Sequence, residues 1–371
     1  MKIVNKIKLS LVLCCVMIVL GVTGCENSND INTTKSVTSS MNNSSVIIPE
    51  SFKSLAGMNE NELLDLFKKN GEGHYNGIKS VDGQVEVSVT EEQRQYWMDY
   101  AKKMADSQES TLTAVSKKYR AECNDVYDTI NMYYDTIISF EDAFKYVGKT
   151  AIYCALYQIF DGKESYSITL NVFNVDTGKL VAGGDLEKDD VSYDDTEWKA
   201  SYTLDSAEIS ELKTKHADEG EIFTVKSTFV DGMSIIDILQ SAGGNGYQYI
   251  YLDDAGSVSV KADKSQKDEL IVKMNQYLSD VSNQFSGLGE GYEITWKSDF
   301  SSIDFKFDSK LSKQDQSNYF IYVETICMLN QVLDSTDNSY YIDLNIYDSS
   351  TGELVSTGNT VDGISWNIGD E

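Results

Sequence analysis

The sequence carries a long stretch of itself twice, and this limits the folds open to it. Adding 173 to a residue number places Gly83-Gln84-Val85-Glu86-Val87 on Gly256-Ser257-Val258-Ser259-Val260. The same shift of 173 places Ile130-Asn131-Met132-Tyr133-Tyr134-Asp135 on Ile303-Asp304-Phe305-Lys306-Phe307-Asp308. Tyr119, Tyr146, Cys154 and Gln158 likewise fall on Tyr292, Tyr319, Cys327 and Gln331. One extra residue near Ser335–Ser339 moves the offset to 174, and Ile168, Leu170, Asn171, Thr177 and Gly178 then meet Ile342, Leu344, Asn345, Thr351 and Gly352. Upstream the offset is 172, with Leu64-Asp65-Leu66 on Ile236-Asp237-Ile238. Two copies of one domain are expected, 51–198 and 224–371, joined by a polar connector, 199–223, with a short helix near Ala207–Lys215. A chain of 371 residues agrees with two domains.

Within each copy the apolar periods alternate between helix and strand. A short amphipathic helix carries Leu63, Leu64 and Phe67, or Ile235, Ile236 and Leu239, and stops at Gly71 or Gly243. A hairpin turns at Asp82-Gly83 and at Asp254-Ala255-Gly256. Thr90 before Glu91-Glu92 predicts a helix start running to about Ser116, with a counterpart from Asp263 to about Ser286. A period-two strand follows, with Ile130, Met132 and Tyr134 on one face and Ile303, Phe305 and Phe307 in the equivalent places. The most apolar helix spans 140–160 and 313–333, and a last hairpin turns at Asp176-Thr177-Gly178 or Ser350-Thr351-Gly352. Trp198 and Trp366 are expected as apolar lids closing each copy. The expected order is α-β-β-α-β-α-β-β: an α+β fold, a mostly antiparallel sheet with helices on one face.

The first 24 residues read as an export signal, not as part of the fold. Lys2, Lys6 and Lys8 precede an apolar run, Leu9–Leu20, too short to span a bilayer comfortably. The run ends in Val22-Thr23-Gly24-Cys25, which resembles the lipobox of bacterial lipoproteins. The resemblance implies export, a diacylglycerol thioether on Cys25, cleavage before it, and a cell membrane location on the extracytoplasmic face. Two acyl chains suffice for stable anchoring. Residues 25–50, rich in Ser, Asn and Thr, are expected to form a disordered tether.

Charge narrows the partners. With 31 basic and 59 acidic residues the net charge is −28, which argues against nucleic acid and against an electrostatic hold on anionic lipid. The sequence has only two histidines, His74 and His216, and no His/Cys cluster with ligand spacing, so no metal or other cofactor is expected. The acids at Asp185, Glu187, Asp189, Asp190, Asp194 and Asp195 lack a calcium-loop pattern and read as a solvated loop. Cys154 and Cys327 hold one place in both copies and read as buried thiols, while Cys123 aligns with Trp296. A Cys123–Cys154 disulfide suits an exported protein, but spacing alone does not decide it. A Cys123–His74 nucleophile pair is weighed and set below core filling. No catalytic residue is assigned.

The aromatic residues carry the remaining signal. Tyr247, Tyr249 and Tyr251 alternate with Gln248, Ile250 and Leu252, so the three rings share one face of a strand. With Ile250 and Leu252 inward, the tyrosines would line an open binding face. Packed against the connector or the other copy, they would be core. Phe173 and Tyr347 are further candidates for open faces. The leading expectation is a lipid-anchored surface protein that binds an extracellular protein, peptide or glycan without catalysis. The alternatives are a cell-surface hydrolase using acids the sequence does not single out, and a structural or inhibitory, immunity-type lipoprotein. A flat aromatic sheet face would favour binding; a cleft with paired carboxylates would favour the enzyme.

Overall fold

The computed structural model describes residues 43–360 except 136–137, 139, 189–190, 218–219, 226–231, 244–246 and 335–339. The signal region, Cys25 and Trp366 lie outside the described residues. The chain forms two compact units. The first holds the chain to Tyr134 with 138–173 and 180–194; the second holds 135–137, 174–179 and the chain from Asp195. The fold is α+β.

The first unit runs β1 (Ser44–Ile48), α1 (Glu50–Ala56), α2 (Glu60–Asn70), β2 (Gly77–Val81), β3 (Gln84–Val89), α3 (Glu91–Val115), β4 (Arg120–Cys123), β5 (Thr129–Tyr134), α4 (Phe140–Phe160), β6 (Thr169–Asn174) and β7 (Leu180–Asp185). It builds two sheets, β1-β3-β2 and β4-β5-β6-β7, where one was expected. Two strands depart from the expected order. The end of the proposed tether is strand β1, paired antiparallel to β3 from Ser44↔Val89 to Ile48↔Val85. Val46 and Ile48 are buried there, so the Val-Ile-Ile run after the Ser/Asn stretch is a β-branched core strand. Strand β4 is the other.

Local chemistry sets the remaining boundaries. Thr90 Oγ1 accepts from the Gln93 amide at 3.2 Å, while Gln93 Oε1 accepts from the Thr90 amide at 2.9 Å. This capping box starts α3 where the sequence places it. Between β2 and β3, Asp82 and Gly83 both have positive φ, 52° and 81°, as a two-residue hairpin turn requires. Trp97, Ala101, Ala105 and Leu112 make the buried stripe of α3.

The second unit runs α5 (Asp195–Ala200), β8 (Thr203–Leu204), α6 (Ser206–Lys215), β9 (Glu221–Val225), α7 (Gly232–Gly243), β10 (Tyr249–Asp253), β11 (Val258–Ala262), α8 (Lys264–Ser286), β12 (Glu293–Trp296), β13 (Ser302–Phe307), α9 (Lys313–Asp334), β14 (Asp343–Asp348) and β15 (Leu354–Asn359). Its sheets are β8-β10-β11-β9 and β12-β13-β14-β15. The β13–β14 and β8–β10 pairs are parallel. Their neighbours β10–β11, β9–β11, β12–β13 and β14–β15 are antiparallel. Strands β4 and β5 begin 173 residues before β12 and β13, at Arg120 and Thr129 against Glu293 and Ser302. The connector helix stands at α6, its start capped reciprocally by Asp205 and Glu208. Trp198 is buried on α5, within the second unit.

Candidate functional site

The β4-β5-β6-β7 sheet has one buried and one open face. Along β5 and β6, Ile130, Met132, Tyr134, Leu170 and Val172 are buried, while Asn131, Tyr133, Asn171 and Phe173 between them are half-buried. Period two therefore sends Tyr133 and Phe173 to the open side. Register brings in their neighbours. Arg120 on β4 lies opposite Tyr133, and Leu180 on β7 opposite Phe173.

The side chains of this row stack across the strands. The Arg120 guanidinium lies over the Tyr133 ring, 3.7 Å from its centroid. The other neighbour of Tyr133 is the Phe173 ring, stacked at 4.9 Å and 16°. Leu180 ends the row, 58% exposed. A second row runs parallel to it. Glu122 lies opposite Asn131, whose Oδ1 accepts from Asn171 Nδ2 at 2.9 Å. Glu122 also holds Arg120, Nε to Oε1 at 2.7 Å, which keeps the guanidinium plane over the ring.

The second unit offers a more polar version of this face. Lys306 and Tyr347 are neighbours across β13–β14, and Tyr347 lies opposite Leu354. Asn345 Nδ2 donates to Asp304 at 2.7 Å, and Thr357 Oγ1 donates to Asn345 Oδ1 at 2.9 Å. Phe173 and Tyr347 are thus both half-buried on outer faces, as the sequence suggests. Lys306 stands at the Tyr133 position, so the ring sandwich belongs to the first unit alone.

Tyr247, Tyr249 and Tyr251 do not form an open face. They are 1%, 1% and 3% exposed. Tyr249 and Tyr251 pack with Leu204 of β8 and Leu212 of α6, with Ile209 against the group. His216, the residue after α6, sets its ring edge to Tyr249 at 5.4 Å and 60°. Ile250 on the opposite face is fully buried as well. The connector covers the side that alternation alone leaves open. The Tyr249 hydroxyl is buried without a hydrogen-bond partner among the described residues, and burial pushes its pKa up to about 12. Tyr249→Phe is therefore expected to leave stability unchanged or raise it by up to about 1 kcal/mol, measured by urea unfolding. A loss above that would mean the hydroxyl has a native partner.

The other sequence candidates separate. The His74 ring stacks on Tyr96 at 3.4 Å and 2°, whereas the thiol of Cys123 meets Cys154, so the weighed nucleophile pair is not assembled. Burial pushes the Asp185 carboxyl up, but the Lys188 ammonium, the Glu187 amide and the Ser167 hydroxyl together hold it below its usual range. Asp189 and Asp190 lie outside the described residues. Among the described residues no group of three His, Cys, Asp or Glu side chains could hold a metal, and no helix is long and apolar enough to cross a membrane. Among the described residues, burial pushes the Glu324 carboxyl of α9 up to about 7. No family model matches the chain, and comparison with curated proteins and with solved structures finds no match.

Proposed function

We propose that this chain is a lipid-anchored protein of the extracytoplasmic face that binds another protein, without catalysis, through the open face of the β4-β5-β6-β7 sheet. The anchor rests on the lipobox-like Val22-Thr23-Gly24-Cys25 and the charged apolar run before it. The binding role rests on one observation, the Arg120–Tyr133–Phe173 stack on an outer sheet face.

The geometry of the stack selects the class of partner. A nucleobase or a sugar that docks by stacking needs a free aromatic face. Tyr133 has none: a guanidinium covers one side and Phe173 the other. The row presents ring edges, a guanidinium rim and the exposed Leu180, a composition that protein interfaces favour at their centres. Asn131, Asn171 and Glu122 beside it supply polar groups. With 59 acidic against 31 basic residues, the chain's field draws in a basic partner and repels an acidic one.

Tyr133→Ala is expected to weaken the complex by about 10- to 30-fold, roughly 1.5–2 kcal/mol. Lys306→Ala, at the equivalent place in the second unit, should change it less than about threefold. The test is capture from cell-envelope extract by the full chain and both variants, then titration of the purified partner. The variants must first match the wild type in thermal unfolding. A partner held equally by wild type and Tyr133→Ala would remove this face from the reading.

A further inference from the structure

Among the described residues, Cys123 and Cys154 are the one pair of cysteines that the fold brings together. Cys123 ends β4 and is half-buried; Cys154 lies mid-way along α4 and is buried. Their Sγ atoms stand 3.6 Å apart, close to van der Waals contact. Bond formation at about 2.05 Å needs a small approach of two side chains that already point at each other. Alternation along β4 explains the aim. Arg120 and Glu122 belong to the outer rows, so Ala121 and Cys123 face the helix side. The second unit has no such pair: Trp296 replaces Cys123, and Cys327 is a single buried thiol.

We propose that Cys123 and Cys154 form an intrachain disulfide that ties β4, the edge strand of the candidate binding face, to helix α4. The oxidant is a small-molecule or protein disulfide. The Cys123 thiolate, the more accessible of the two, attacks one sulfur of the oxidant, giving a mixed disulfide and releasing one thiolate. The Cys154 thiolate then attacks the Cys123 sulfur and displaces the second. In sum, two cysteine thiols and one oxidant disulfide become one protein disulfide and two oxidant thiols; the two protons from the cysteines end on the leaving sulfurs. The mixed disulfide on Cys123 precedes the product, and the buried Cys154 sulfur beside it closes the bond within the chain. The pair spans 31 residues, so the closed bond restricts the unfolded chain appreciably.

The test uses the full chain, reduced and then equilibrated with oxidised glutathione, followed by unfolding and alkylation. The expected result is loss of two alkylation sites, a peptide linking 123 to 154, and ready labelling of Cys327. The oxidised form should melt about 6–12 °C above the reduced form. Cys123→Ser and, separately, Cys154→Ala should abolish that redox-dependent shift, each compared only with itself in oxidant and reductant. Full alkylation of both cysteines after equilibration would overturn the proposal, as would a link from either to Cys327. The pairing is tested in vitro and stands or falls independently of export and of partner binding.

Discussion

Trp97→Ala is expected to cost the first unit about 3–5 kcal/mol, the largest loss among the changes considered. The indole is 1% exposed and sits where several elements of that unit meet. Phe67 of α2 meets it edge-on at 5.0 Å, and Phe160 of α4 stacks on it at 5.5 Å and 22°. Its Nε1 donates to the His74 carbonyl at 3.0 Å, satisfying the one polar atom of the ring. Gly71, just after α2, lies so close that a Cβ would fall 2.2 Å from the indole. A truncated side chain here leaves a void lined by aromatic rings and by a helix end that cannot collapse into it without moving α2. It also leaves the His74 carbonyl without its donor. Urea unfolding of the full chain should show the early loss of one transition, with a melting temperature lower by about 6–20 °C for that unit. Trp97→Phe keeps most of the ring contact and should recover more than half of the loss. A Trp97→Ala chain within about 1 kcal/mol of wild type would mean that the indole fills no essential space.

Much of this arrangement is legible before any coordinates. Helices α3 and α8 begin at Thr90 and Asp263, as the capping residues announce, because a cap is local chemistry and needs no tertiary partner. The Asp82-Gly83 turn is legible for the same reason. Strand β4 is not. Arg-Ala-Glu-Cys has no apolar alternation, and it becomes a strand only because β5 offers it a ladder from Arg120↔Tyr133 to Cys123↔Ile130. Strand β1 is hidden differently: its Val-Ile-Ile run follows a Ser/Asn-rich stretch whose composition points to a tether.

The candidate site divides along the same line. Alternation in β5 already places Tyr133 opposite Ile130, Met132 and Tyr134, so its outward aim could be read from the sequence. Arg120 does not join it from the sequence alone, because Arg-Ala-Glu-Cys carries no alternation that marks a strand. The Tyr247/Tyr249/Tyr251 stripe shows the converse. Period two groups the rings on one face but is silent on what lies above that face. A signal is present: the stripe lies downstream of the connector helix, and that helix carries Ile209 and Leu212. The offset of 172 matches the stripe to Gly77 and Lys79 on β2, which carry no rings. Tyrosines beside an amphipathic connector are cover for one another, so an aromatic stripe counts as open only after every amphipathic segment has found its partner.

Glu324→Gln is expected to stabilise the second unit, by an amount that grows with pH. Glu324 is 7% exposed in the middle of α9, and its Oε1 has no hydrogen-bond partner among the described residues. Ala151 stands 173 residues earlier, at the position that the sequence offset matches to Glu324. Burial without a partner disfavours the charged form and raises the native pKa from 4.5 to about 7. Below pH 4.5 the folded and unfolded chains both carry the neutral acid, which differs little from glutamine. Between pH 4.5 and about 7 the native state binds more protons than the unfolded state, so wild-type stability falls as pH rises. Above that window both states are charged and the loss levels at about 3 kcal/mol. The glutamine variant has no proton to lose and escapes this fall. Urea unfolding of the two chains at about pH 4.5, 6 and 8 should show a gap that is small at the lowest pH and approaches about 3 kcal/mol at the highest. Subtracting the two chains cancels the titration of every group they share. A gap independent of pH would show that Glu324 binds protons alike in the native and unfolded states, and the argument from unpartnered burial would fail.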